Sequence, residues 1–242
     1  MRRILTSMVL LAWPPGASGA APGVGEEVYP ATIEAGTTEF EARYGRLTGG
    51  ASDGEDGLTL EASHAFSPRL YGAVLARLNR DALGPRRLEE VAVEGIAKLG
   101  RVRGVDVAGY VEYAQGVHGS DGAEAKLLLQ RRHGGFEGRL NLIIDKAFDG
   151  SATALGYAAS ADWSLKGDLR AGAAAFGDAG NFPRPFARSE HYAGPILKTD
   201  LDQLPVPGEL EIEAGYLVAL PGPARDRTQG QVRLLLSWER RF

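Results

Sequence analysis

His118, Gly119 and Ser120 form the one spacing in this sequence that suggests covalent catalysis, a histidine two residues from a serine. A serine becomes a nucleophile only with a base within hydrogen-bond reach and a third group that orients that base. No asparagine lies nearby in sequence to do so, and the pair falls in the glycine-rich stretch 116–122, a composition that ordinarily makes a turn. No catalytic residue is expected. Metal chemistry has no better support. The four histidines, His64, His118, His133 and His191, lack the spacing that brings two imidazoles together on one face. The chain has no cysteine, and both methionines, Met1 and Met8, lie in an N-terminal apolar run. The remainder therefore offers no sulfur to hold Cu(I). No metal and no cofactor are expected.

The charged residues carry the stronger signal, because they recur with period two. Glu39, Glu41 and Arg43 alternate with Phe40, Ala42 and Tyr44. Glu61 lies between Leu60 and Ala62, and Glu94 and Lys98 oppose Val91, Val93, Ala97 and Leu99. Asp106 and Glu112 oppose Val105, Val107, Val111 and Tyr113, while Arg139 and Asp145 oppose Leu140, Leu142 and Ile144. Glu209, Glu211 and Glu213 oppose Leu210, Ile212 and Ala214, and Arg233 faces away from Val232 and Leu234. Strict alternation is the mark of a strand with two unlike faces. The polar face carries more charge than the core of a sandwich or a lipocalin-like cup tolerates, so the apolar face must meet lipid and the charges a lumen.

These rows need elements to hold them. The pattern predicts twelve antiparallel strands from residue 38 onward, although periodicity alone does not separate twelve from ten or fourteen. The predicted connections alternate. Gly49–Gly57, Asp81–Arg87 and Ala179–Glu190 are long, whereas Ser67–Arg69, Leu99–Arg103 and His133–Gly135 are short. Pro195 in the tenth predicted strand suits a bulge or strand end. Before the strands, Arg2 and Arg3 precede an apolar run, Ile4–Trp13, which Pro14 and Pro15 break ahead of Ala17–Ala20. That order predicts a secretory signal peptide over 1–20. The apolar run is shorter than the ~20 residues a spanning helix needs. Residues 21–37 then read as an N-terminal periplasmic segment, too short for a plug, and 38–242 as the barrel.

The last strand places Leu236 and Trp238 on one face and ends on Phe242. It resembles the C-terminal strand of bacterial outer-membrane β-barrel proteins, which in that family is the signal read by the insertion machinery. Arg240 departs from the pattern, since an apolar or aromatic residue is common there. The resemblance implies an all-β, up-and-down transmembrane barrel in the outer membrane, with its lipids, lipopolysaccharide and the insertion machinery as partners. More broadly the chain resembles small transporter-like barrels, including some associated with aromatic-compound degradation or copper resistance.

The net charge of −4 provides no basic face for nucleic acid. The lumen candidates are mostly carboxylates, and acidic rings favour cations in a pore. A channel or transporter for a small solute, with a cation-favouring lumen, is therefore expected. The alternative is a barrel whose charges cross-link into a closed, non-conducting network. A more distant alternative is an enzyme similar to the outer-membrane phospholipase, resting on His118 and Ser120.

Overall fold

A computed structural model describes residues 20–186, 189–201 and 207–242. The expected signal peptide, apart from Ala20, lies outside the described residues. In chain order the strands are β1 (Thr37–Thr48), β2 (Asp56–Ser67), β3 (Leu70–Arg80), β4 (Arg87–Val102), β5 (Val105–Gly116), β6 (Gly122–His133) and β7 (Phe136–Ala147). They continue as β8 (Ala154–Lys166), β9 (Leu169–Asn181), β10 (Arg184–Pro185), β11 (His191–Asp200), β12 (Glu209–Ala219) and β13 (Gly230–Arg241), with a helix, α1 (Pro223–Arg227), before the last strand. β10 is a two-residue strand folded back on the tip of β9. The other twelve pair with their neighbours and close into a barrel where β13 meets β1, with Phe40 opposite Trp238 and Ala42 opposite Leu236.

Alternation decides the faces. Val111 and Leu197, on the apolar parity, are 65% and 54% exposed, whereas Arg43 and Asp162, on the charged parity, are 3% and 2% exposed. This inverts the distribution of a soluble protein. It is the arrangement of a transmembrane barrel, in which every backbone group finds a partner strand and an apolar band faces lipid. Phe40–Trp238 and Phe136–Trp163 ring pairs lie toward the short-turn end of that band.

Three expectations are corrected. Leu99–Arg103 is not a connection, because β4 continues to Val102 with a bulge between Lys98 and Gly100. The turn is Arg103–Gly104, both at positive φ (49° and 85°), the geometry whose twist matches a two-residue hairpin. Pro195 lies within β11, opposite Ala173 of β9, and the ladder toward β12 lapses at Gly194 and Pro195. A proline has no N–H to give to that ladder.

The third correction is the largest. Residues 20–36 do not hang below the barrel; they run through it. Ala21 and Val24 are buried beside Leu47, Phe176 and Leu217 at the loop end, and Tyr29 and Ala31 beside Ile96, Tyr110 and Leu128 nearer the turns. The segment seemed too short to plug a barrel, yet a strand crosses a bilayer core in about 9–11 residues. We refer to residues 20–36 as the strap.

Candidate functional site

The lumen is the candidate site. Its wall presents side-chain amides, hydroxyls and guanidinium groups to the main chain of the strap. Gln231 donates to the Pro22 carbonyl at 2.7 Å, and Thr59 to the Gly25 carbonyl at 2.8 Å. Arg233 reaches two carbonyls, Gly23 at 3.0 Å and Glu26 at 2.9 Å, and Arg139 reaches Val28 at 3.2 Å. Asn141 accepts from the Tyr29 N–H at 2.8 Å and donates to its carbonyl at 3.0 Å, so one side chain imitates a neighbouring strand. The Gln130 amide oxygen accepts from the Ala31 and Thr32 N–H groups at 2.9 and 3.0 Å. An unpaired buried amide costs about 1–3 kcal/mol, so the strap lies there only because the wall answers it.

Room for the strap comes from the wall glycines. A Cβ on Gly45 would lie 2.8 Å from the Val24 Cα, and one on Gly57 would lie 2.9 Å from a Val24 methyl. At the loop end Ala224 of α1 packs into the same cluster as Ala21. Arg227, also in α1, pairs with Glu55 of the first loop at 2.8 Å and lies 3.8 Å from Glu190.

Midway down, Tyr29 is the junction of the charge network. Its hydroxyl donates to Glu94 at 3.0 Å and accepts from Arg43 at 2.8 Å. Arg43 pairs with Glu41 at 2.5 Å and with Glu61, to which Tyr71 also donates. The Tyr110 hydroxyl lies 2.7 Å from both Glu94 and Glu112, and Arg77 grips Glu112 at 2.6 Å. Lys126 sits 4.5 Å from the Tyr29 ring centroid and 4.3 Å from that of Tyr110. Buried charges are costly unless paired and hydrogen-bonded. Here the strap supplies a shared hydroxyl that joins the pairs into one network.

Toward the short turns the strap leaves a cavity of about 300 Å³, lined in part by Glu39, Glu41, Glu209, Glu211, Glu239 and Arg139. Glu239 stands directly opposite both Glu39 on β1 and Glu209 on β12. Like charges in that relation are destabilising. Lys198 and Arg233 both turn to Glu213, at 3.0 and 3.4 Å. Glu39 accepts from Ser237 at 2.5 Å, and among the described residues Glu209, Glu211 and Glu239 form no ion pair.

The charged positions expected to line the lumen share the parity of the buried residues on their strands, but they are not one assembly. Glu41, Arg43, Glu61, Glu94 and Glu112 meet around Tyr29 and Tyr110. Lys98 and Asp106 form a separate pair at 3.1 Å, and Arg139 turns to Glu137 at 2.6 Å. Asp145 lies opposite Glu124 near the loop end, and Glu39, Glu209 and Glu211 border the cavity. His118 and Ser120 are exposed in the loop after β5 and contribute nothing to this interior. Tyr29, Thr59, Gln130, Asn141 and Gln231 were missed by the alternation of charge. A signal for them existed. Ile96 lies between Glu94 and Lys98, and Leu128 between Lys126 and Gln130, on the charged parity, where apolar residues imply something apolar inside.

Solved structures with the same fold are outer-membrane barrels. The KdgM porin is similar with a TM-score of 0.56 and 10% identity, over 83% of this chain and 98% of that one. A KdgM porin in complex with disordered oligogalacturonate gives 0.55 and 9%, over 85% and 99%. The COG4313 outer membrane channel from Pseudomonas putida F1 gives 0.60 and 12%, over 89% and 100%. At these identities the likeness is one of fold. No protein-family model matches the sequence, and no curated protein matches it. The fold is that of an outer-membrane β-barrel.

Proposed function

We propose that the protein is an outer-membrane channel for small solutes, closed in this state by its own strap, with a cation-favouring mouth on the short-turn side. The observation that carries the reading is the lumen itself. It holds the whole strap within a polar wall and still leaves a cavity of about 300 Å³. Eight strands leave room only for side chains and sixteen or more leave an aqueous channel. Twelve leave a passage that a single chain largely occupies. The cation preference rests on Glu39, Glu209 and Glu239, which stand opposite one another across β1, β13 and β12, with Glu211 on the border of the same cavity. Neighbours of the same fold named as porins and channels accord with this reading.

A second reading, a non-conducting structural barrel, is favoured by the number of main-chain atoms that the wall holds. The lipolytic reading finds no support in a loop where His118 and Ser120 are both exposed.

The test is conductance in a planar bilayer. The full chain carries a protease site inserted between Glu34 and Ala35 and is cut after assembly. Steps of conductance that grow when the strap is released, with a reversal potential on the cation side, are expected. Glu209→Gln with Glu211→Gln should move that potential toward zero. Zero conductance with the strap released overturns the channel, and anion preference overturns the proposed mouth.

A further inference from the structure

We infer that the lumen is a binding groove for the main chain of a polypeptide, taken as a turn of small residues at the loop end and a more open run below it, and that peptides able to adopt this course are a substrate class of this barrel. This rests on the channel reading above. The strap marks the groove as a resident ligand would. Its polar contacts with the wall fall mainly on main-chain atoms: the carbonyls of Pro22, Gly23, Gly25, Glu26 and Val28, both groups of Tyr29, and the N–H groups of Ala31 and Thr32. Those atoms are the same in every peptide except at proline nitrogen. The wall residues that reach them, Thr59, Gln130, Arg139, Asn141, Gln231 and Arg233, come from strands on several sides of the barrel. A chain held there is gripped from β13 and β2 and from β6 and β7, without an adjacent strand edge.

Side-chain selection by the groove is steric at the loop end, where a Cβ on Gly45 or Gly57 would meet Val24, whereas lower down the ring of Tyr29 is accommodated against Tyr110 and Lys126. Phe176, whose ring carries the Arg233 guanidinium 4.4 Å from its centroid, lies within about 3 Å of where a Cβ on Gly23 would stand. Main-chain hydrogen bonds that supply affinity, with small pockets that filter side chains, are the physics of strand-addition recognition. In this lumen, side-chain amides and guanidinium groups perform the task of the strand edge. Sugars lack the repeating N–H and C=O pattern that Asn141 and Gln130 read.

The experiment uses the same full chain, assembled, labelled on the strap and cut between Glu34 and Ala35. Three probes are added to the bilayer chamber: a synthetic peptide of residues 20–34, a length-matched peptide of unrelated sequence built from Gly, Ala, Ser and Pro, and a neutral oligosaccharide of similar length. Both peptides should displace the label and close the conductance again, and the oligosaccharide should do neither. Asn141→Leu with Gln130→Leu should weaken closure by both peptides by about tenfold or more, as expected for losing hydrogen bonds of ordinary strength. The native temperature-dependent migration on gels should be retained in that variant. If only the residue 20–34 peptide acts, the lumen reads strap side chains and the inference fails. If conductance appears on cutting but neither peptide closes it, the inference fails while the channel stands. A label that stays in place against excess of either peptide also overturns it. Zero conductance after loss of the label removes the channel reading and this inference together.

Discussion

Tyr29 shows how one side chain joins two halves of a wall. Its hydroxyl lies between Glu94 of β4 and Arg43 of β1, and its ring lies against Lys126 of β6. Tyr29→Phe removes the hydroxyl and keeps the ring. Hydrogen bonds to charged groups contribute about 1.5–3 kcal/mol, so cleavage within the strap should become faster by roughly 10–100-fold. Limited proteolysis of the assembled barrel reads this directly; unchanged protection would show that Arg43 and Glu94 are satisfied without Tyr29. Gly45→Val acts from the wall side. Its Cβ would approach the Val24 backbone to 2.8 Å, and neither backbone can yield cheaply. Overpacking of this kind costs about 1–3 kcal/mol. The strap should be displaced, and the open-channel conductance should rise in a barrel that still assembles. A fully closed Gly45→Val barrel with a protected strap would contradict the packing described here. Parity alone sets Asn141 and Gln130 on the same face as the charged residues, but an amide on that face announces no partner.

At the scale of the element, β13 joins two tasks on its two faces. Leu236 points outward between Ala42 of β1 and Ile212 of β12, and Trp238 stacks on Phe40 with centroids 5.7 Å apart. Arg233 and Ser237 point inward to the strap and to Glu39. Arg240, the departure from the expected apolar pattern, lays its guanidinium 4.9 Å from the Phe242 ring centroid. A long cationic side chain at a membrane edge can cover apolar surface while its head reaches water. Leu236→Lys should lower the assembled fraction, with a penalty of about 2–4 kcal/mol if it lies near the bilayer midplane. Trp238→Asp and loss of Phe242 should impair assembly in the same assay, as the proposed insertion signal requires. Glu211→Gln, on an inner face, should assemble normally. Normal native-form migration for Leu236→Lys would invert the assignment of faces.

At the scale of the whole molecule, closure by β1 and β13 leaves the twelve long strands no free edge among the described residues, and the band of exposed valine, leucine and aromatic side chains needs lipid around it. Cell fractionation should place the protein in the outer membrane, resistant to carbonate extraction. Recovery as a soluble periplasmic protein would be incompatible with that band.

Strand faces follow from the sequence by itself, because period-two alternation is local, whereas the count of twelve is set only where β13 closes on β1. Each residue of Glu209–Ala214 declares its side by its own preference for water or lipid, whatever the rest of the chain does. The strap makes no such declaration. Residues 20–36 are rich in Gly, Pro and Ala and have no period, so composition alone describes a tail. Its place inside was decided by partners far away in sequence: Asn141 is 112 residues from Tyr29, and Arg233 is 210 from Gly23. Only barrel closure brings β2, β6, β7 and β13 around one axis, and only then do their amides, hydroxyls and guanidinium groups supply what a buried main chain must have.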